Sequence, residues 1–151
     1  MTDSPLATSA EQCPFDLPRN QIGENLFEVC QMGISTLYLE RIQTYRGHCV
    51  LVFDPRHVTR IDELTATEWQ QQADDIYKTE KAIMNAFSPD HINIASIGQM
   101  VPHLHWHIIP RYQTDPRWGG PIWMTDPGEQ VVEKLADVEY EQLAAALKTH
   151  L

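Results

Sequence analysis

The feature that most constrains this chain is the stretch Gln99-Met-Val-Pro-His-Leu-His-Trp-His-Ile-Ile-Pro-Arg111, where His103, His105 and His107 recur at every second residue. A period of two belongs to a β-strand, whose successive side chains point to opposite faces. The three imidazoles then share one face, while Leu104, Trp106 and Ile108 share the other. A helix would scatter them, because residues two apart do not face each other there. The prediction is a strand ended by Pro110, polar on one side and packed on the other.

The rest of the chain offers partners for that strand. Asn25–Met32, Ile34–Glu40 and His48–Asp54 read as three strands of an antiparallel meander, with Gly33 turning a tight hairpin between the first two. Thr65 and Glu68 form a capping-box pattern that opens a helix over residues 66–87, and Ser88-Pro89 stops it. Trp69, Ala73, Ile76, Tyr77, Ile83, Met84 and Phe87 are expected to form its core-facing stripe. His91–Ile97 reads as a fourth strand and the histidine strand as the fifth. Prolines and glycines between 116 and 128 predict a loop, in which Trp118 and Trp123 need a packing partner, a flat ligand or a second subunit. Val138–Leu147 predicts a short final helix. Residues 1–12 read as a flexible leader, Cys13–Pro18 as an irregular segment docking Phe15 and Leu17, and 13–151 as a single domain.

Composition narrows the partners. A net charge of −10 at pH 7 argues against a long nucleic acid, whose binding needs phosphates neutralised by Lys and Arg. It does not exclude a small nucleotide. No run approaches the roughly 18 apolar residues of a membrane span. The N-terminus lacks the basic start and apolar block of a secretory signal, so a cytoplasmic setting is expected. The three cysteines, Cys13, Cys30 and Cys49, make no Cys-x-x-Cys: Asp16 stands at that spacing from Cys13.

Three aligned histidines suit two chemistries. They can bind Zn²⁺ with an open position for hydrolysis. Alternatively, one neutral imidazole can attack phosphorus while its neighbours stabilise phosphate oxygens. The amides of Asn93 and Gln99 and the flexible Gly98 favour the second, since a zinc site more often has carboxylates beside its histidines. His48 opens another strand and could reach the same pocket.

The pattern His103-Leu-His-Trp-His-Ile-Ile109 resembles the motif of the histidine triad family of nucleotide hydrolases and transferases. Gly98-Gln99, Pro110-Arg111, Gly47-His48 and Pro55-Arg56-His57 extend the likeness over roughly residues 25 to 112. The resemblance implies an α+β fold with a five-stranded antiparallel sheet, one long helix and a short C-terminal helix, usually as a homodimer. It implies that His105 attacks the α-phosphorus of a nucleotide, purine by preference, giving a nucleotidyl-histidine that water hydrolyses. His103 and His107 would flank it, His48 would complete the imidazole group, Asn93 and Gln99 would lie near the phosphate, and Glu40 would accept the ribose hydroxyls. Adenosine phosphoramidates and dinucleoside polyphosphates are the implied substrate types, with no cofactor and, because Asp16 replaces a cysteine, no structural zinc. A base slot is expected near Phe27 and Leu39. His107, where the transferase branch has Gln, favours hydrolysis. Met100 departs from the family's usual Ser or Thr after Gly-Gln, and the Asn93–His103 segment is one residue short. Two other classes stay open: a zinc hydrolase using His103, His105 and His107, and a nucleotide-binding module with vestigial activity. His57, His91 and His150 are expected at the surface.

Overall fold

A computed structural model describes residues 13–18, 22, 24–115, 117–123 and 134–151. The expected leader, residues 1–12, lies outside the described residues. Five strands, β1 (Leu26–Gln31), β2 (Ser35–Glu40), β3 (Cys49–Phe53), β4 (His91–Ala95) and β5 (His105–Arg111), form one antiparallel sheet in the order β1-β2-β3-β5-β4. Among the described residues, the long helix α1 (Ala66–Phe87) and the C-terminal helix α2 (Asp137–Lys148) complete the α+β fold.

The register sorts side chains by face. Leu51 lies opposite Trp106 and Cys49 opposite Ile108, and these residues join Leu37, Leu39 and Val29 under Ile83, Leu143 and Leu147 of the two helices. Val52 lies opposite His105 and Val50 opposite His107, so the histidines share the other face with Leu26 and Tyr38. The residues near which a base slot was expected lie on the face away from the histidines. Phe27 and Leu39 belong to the helix-covered face, and Phe27 stacks on Tyr140. Their neighbours Leu26 and Tyr38 face the histidines, because a single step along a strand changes the face.

Helix α1 matches the expected range and carries its capping box: Glu68 N–H donates to Thr65 Oγ1 (3.2 Å), and Thr65 N–H to Glu68 Oε2 (2.8 Å). It ends where Ser88 takes a left-handed conformation, φ 49°. Its buried stripe matches the expected one only at Ile83, with Ile76 and Phe87 packed against the core beside it. Gln72, Asp75, Thr79, Ala82 and Ile83 are buried, whereas Trp69, Ala73, Tyr77 and Met84 are exposed. The cause is a polar anchor. The Asp75 carboxylate accepts from the backbone N–H groups of Gly33 (2.8 Å), Ile34 (2.8 Å) and Ser35 (3.0 Å), and Ser35 Oγ donates to Gln72. The β1–β2 turn is thus capped by a helix side chain, and the helix rotates to deliver it. A Cβ at Gly33 would stand 2.9 Å from Asp75 Oδ1, so this turn requires glycine for space.

Strand β5 departs from expectation at both ends. His103 and Leu104 precede it, although Leu104 C=O still accepts from Phe53 N–H (3.1 Å). Pro110 lies within the strand, paired with Ile92. Proline is tolerated there because β3 pairs with β5 only as far as Ile108, leaving no neighbour on that side to receive an N–H.

Candidate active site

One nitrogen of His105 is fixed by a bond to its own neighbour. Its Nδ1 lies 2.6 Å from the carbonyl oxygen of His103. A carbonyl only accepts, so Nδ1 carries the proton and Nε2 keeps its lone pair. Burial lowers the His105 pKa, which keeps the ring neutral and that lone pair available. The ring forms part of the wall of a cavity of about 350 Å³, together with His107, Glu40, Phe15, Leu26 and Met100.

The flanking histidines have different partners. His107 Nδ1 lies 3.0 Å from His48 Nε2. Burial and its neighbour His107 push His48 down to about 3, while burial and His105 push His107 down to about 4, so this pair is neutral at pH 7. His103 instead donates Nε2–H to the Phe53 carbonyl (2.7 Å) and turns Nδ1 towards Cys13 Sγ (3.5 Å) and Asp16 Oδ1 (3.4 Å). His57, expected at the surface, is half-buried: its Nδ1 is bonded to Asp16 Oδ2 (2.6 Å) and its ring stands edge-on to His103. His91 and His150 are exposed as expected.

The nucleotide-binding candidates separate. Glu40 borders the cavity, and burial raises its carboxyl pKa. Asn93 does not enter this cavity. It shares the histidine face of the sheet, but its Oδ1 accepts from Arg111 Nη1 (2.7 Å). The buried Arg111 guanidinium must satisfy its donors, and Asn93, Asp115 and the carbonyls of Arg117 and Gly120 do so. Gln99 is exposed, and the cavity wall takes Gly98 and Met100 on either side of it instead. Trp118 and Trp123 are exposed beside β4 rather than in the core. Sequence reasoning missed Phe15 as a site residue, although its ring stands edge-on to both His103 and His105 at 5.7 and 5.1 Å.

His103, His105 and His107 do not converge on a metal, because the second nitrogen of His103 faces Cys13 and Asp16. Among the described residues, the one metal-type cluster is Cys13, Asp16, His57 and His103, with ligating atoms within 4.8 Å of one another. All four residue types are zinc ligands. The distances, however, do not fit an ion. Asp16 Oδ2 and His57 Nδ1 are 2.6 Å apart, whereas two such ligands on a tetrahedral zinc stand roughly 3.3 Å apart at metal bonds of about 2.0–2.1 Å. The spacing is that of a shared proton.

Residues 31–114 match the family model described as HIT domain. The chain belongs to the HIT domain family. This HIT domain protein is 29% identical over 140 residues to "Protein hit" of Bacillus subtilis, covering 85% of this chain and 90% of that one. It is 33% identical over 99 residues to the Bis(5'-nucleosyl)-tetraphosphatase [asymmetrical] of Schizosaccharomyces pombe, covering 62% of this chain and spanning about half (53%) of that enzyme's length. A histidine triad protein from Marinobacter aquaeolei superposes with a TM-score of 0.77 at 26% identity, over 89% of this chain and 95% of that one.

Proposed function

We propose that this HIT domain protein is a nucleotide hydrolase that cleaves at the α-phosphate through a covalent nucleotidyl-histidine on His105. The observation that carries the reading is the 2.6 Å bond from His105 Nδ1–H to the His103 carbonyl, which turns an unprotonated Nε2 to a nucleotide-sized cavity. The name of the fission-yeast relative, a dinucleoside tetraphosphatase, supports the reaction class.

In the first step the Nε2 lone pair forms a P–N bond to the α-phosphorus while the bond to the leaving group breaks. In the second, water attacks the same phosphorus and the P–N bond breaks; the proton that water gives up balances the one the leaving group took up, and the nucleoside monophosphate leaves with the lone pair returned to Nε2. When His48 Nε2–H donates to His107 Nδ1, the far nitrogen of His107 carries a proton for a phosphate oxygen. Glu40, which lines the same cavity, accepts the ribose hydroxyls. The substrate is a small purine nucleotide derivative, an adenosine phosphoramidate or a dinucleoside polyphosphate. The protein works as a homodimer in the cytoplasm, where its three free thiols persist. Among the described residues no helix is long and apolar enough to cross a membrane.

Intact-protein mass spectrometry after brief incubation with adenosine 5'-phosphoramidate tests the reading. Wild type is expected to gain one adenylyl group transiently, and His105→Ala none. Turnover without an adduct would overturn the covalent route, and neither turnover nor adduct would leave a binding module.

A further inference from the structure

Behind His103, away from the substrate cavity, a short turn closes on the catalytic rings. Asp16 N–H donates to the Cys13 carbonyl (3.1 Å), which folds Cys13–Asp16 into one unit. That unit makes five contacts with the histidines. Asp16 Oδ2 accepts a hydrogen bond from His57 Nδ1–H, Asp16 Oδ1 stands 3.4 Å from His103 Nδ1, and Cys13 Sγ stands 3.5 Å from the same nitrogen. Phe15, between them, presses its ring edge-on against His103 and His105.

We propose that the Cys13–Asp16 turn is a clamp on the nucleophile, in which the Asp16 carboxylate accepts a hydrogen bond from His57 at one oxygen and sets the other beside His103 Nδ1, where a metal ion would otherwise join them. This rests on the reading of His105 as nucleophile. A carboxylate accepts at both oxygens, so one residue can engage two imidazoles at once, which a thiol in its place could not do without an ion. With Nδ1 of His103 held on this side and Nε2–H held by the Phe53 carbonyl, the His103 ring has no freedom to turn. Its own carbonyl then keeps the position that selects the Nδ1–H tautomer of His105. Asp16 is therefore a positioning residue, remote from the α-phosphorus. Burial would raise its carboxyl pKa, but the bond from His57 and the nearby His103 outweigh that and hold it below the usual carboxylate range.

The test uses the full chain, dialysed against EDTA, with metal content, turnover of adenosine 5'-phosphoramidate and ¹⁵N spectra of the histidine rings measured on wild type, Asp16→Asn and Asp16→Cys. Wild type is expected to keep its turnover and a single His105 tautomer with substoichiometric metal. Asp16→Asn is expected to lower kcat roughly tenfold with little change in KM, and to mix the His105 tautomers. Asp16→Cys is expected to take up one zinc per chain, recover the single tautomer, and lose it again to EDTA. Should Asp16→Asn fail to fold, His57→Gln removes the other end of the bond and carries the same expectation. One equivalent of metal in wild type, whose removal scrambles the tautomer, would overturn the proposal. So would an Asp16→Asn protein with unchanged kcat and ring spectra. If wild type shows no turnover while Asp16→Asn still shifts the ring spectra, the clamp stands and the nucleophile reading falls.

Discussion

His105 stands between two histidines of the same strand segment, and the two are held by opposite chemistry. On the His107 side the partner is another imidazole, His48, in a buried pair held neutral. On the His103 side the partners are a carbonyl, a thiol and a carboxylate. Identical residues two apart in each direction therefore have different surroundings: one side pairs with a second imidazole beside the cavity, the other is held among a carbonyl, a thiol and a carboxylate. What an imidazole does is decided by what its second nitrogen touches.

The sharpest break of this comparison removes the ring between the two sides. His105→Ala is expected to lose roughly four orders of magnitude or more in kcat, with fold retained by circular dichroism; residual turnover within tenfold of wild type would place the nucleophile elsewhere. Next come the flanks. His107→Asn is expected to lower kcat roughly a hundredfold by removing a donor to phosphate. His103→Asn is expected to lower thermal stability as well, because His103 is buried and bonded at both nitrogens. Parallel kcat and Tm measurements separate the two; equal Tm losses would erase the distinction.

Acid separates the sides by pH window. Histidines whose folded pKa is depressed are neutral in the fold but bind protons in the unfolded chain, near pKa 6.5. The stability tied to neutral His48 and His107 is thus present above pH 6.5 and is lost as pH falls through about 4 and about 3. The carboxylate of Asp16, held below its ordinary 3.8, keeps its contribution above that value and loses it only below. Tm is expected to fall between pH 6.5 and 4, and His48→Gln to flatten that slope while Asp16→Asn leaves it in place. Identical slopes in both variants would break the assignment. The smallest effect belongs to the rim: Met100 is 83% exposed, and Met100→Ser is expected to change kcat/KM by less than about threefold, measured with adenosine 5'-phosphoramidate; a larger gain would show a hydroxyl contact to the leaving group.

Most of the fold was legible because its signals are local. The capping box at Thr65 and Glu68, the stop at Ser88-Pro89 and the alternation of His105, Trp106 and His107 depend on neighbours within one turn or one pleat. The lining of the candidate cavity was legible where periodicity forced it, at His105 and His107, and it also takes in Glu40. It was misread where a distant charge intervened. Asn93 faces the right way but is taken by Arg111, eighteen residues on. The stripe of α1 is turned by Asp75, which caps a turn about forty residues away. His57 and Asp16 meet across 41 residues, and nothing in the spacing of either announces it.

The sequence by itself determined the strand period, the shared face of His105 and His107, the long helix and the family, since side-chain alternation and capping are properties of short segments. Only the tertiary structure decided which nitrogen of each imidazole is free. That depends on the carbonyls of Phe53 and His103, on His48 and on Asp16, groups brought within hydrogen-bond reach by the folding of the sheet and of the Cys13–Asp16 turn rather than by any local pattern.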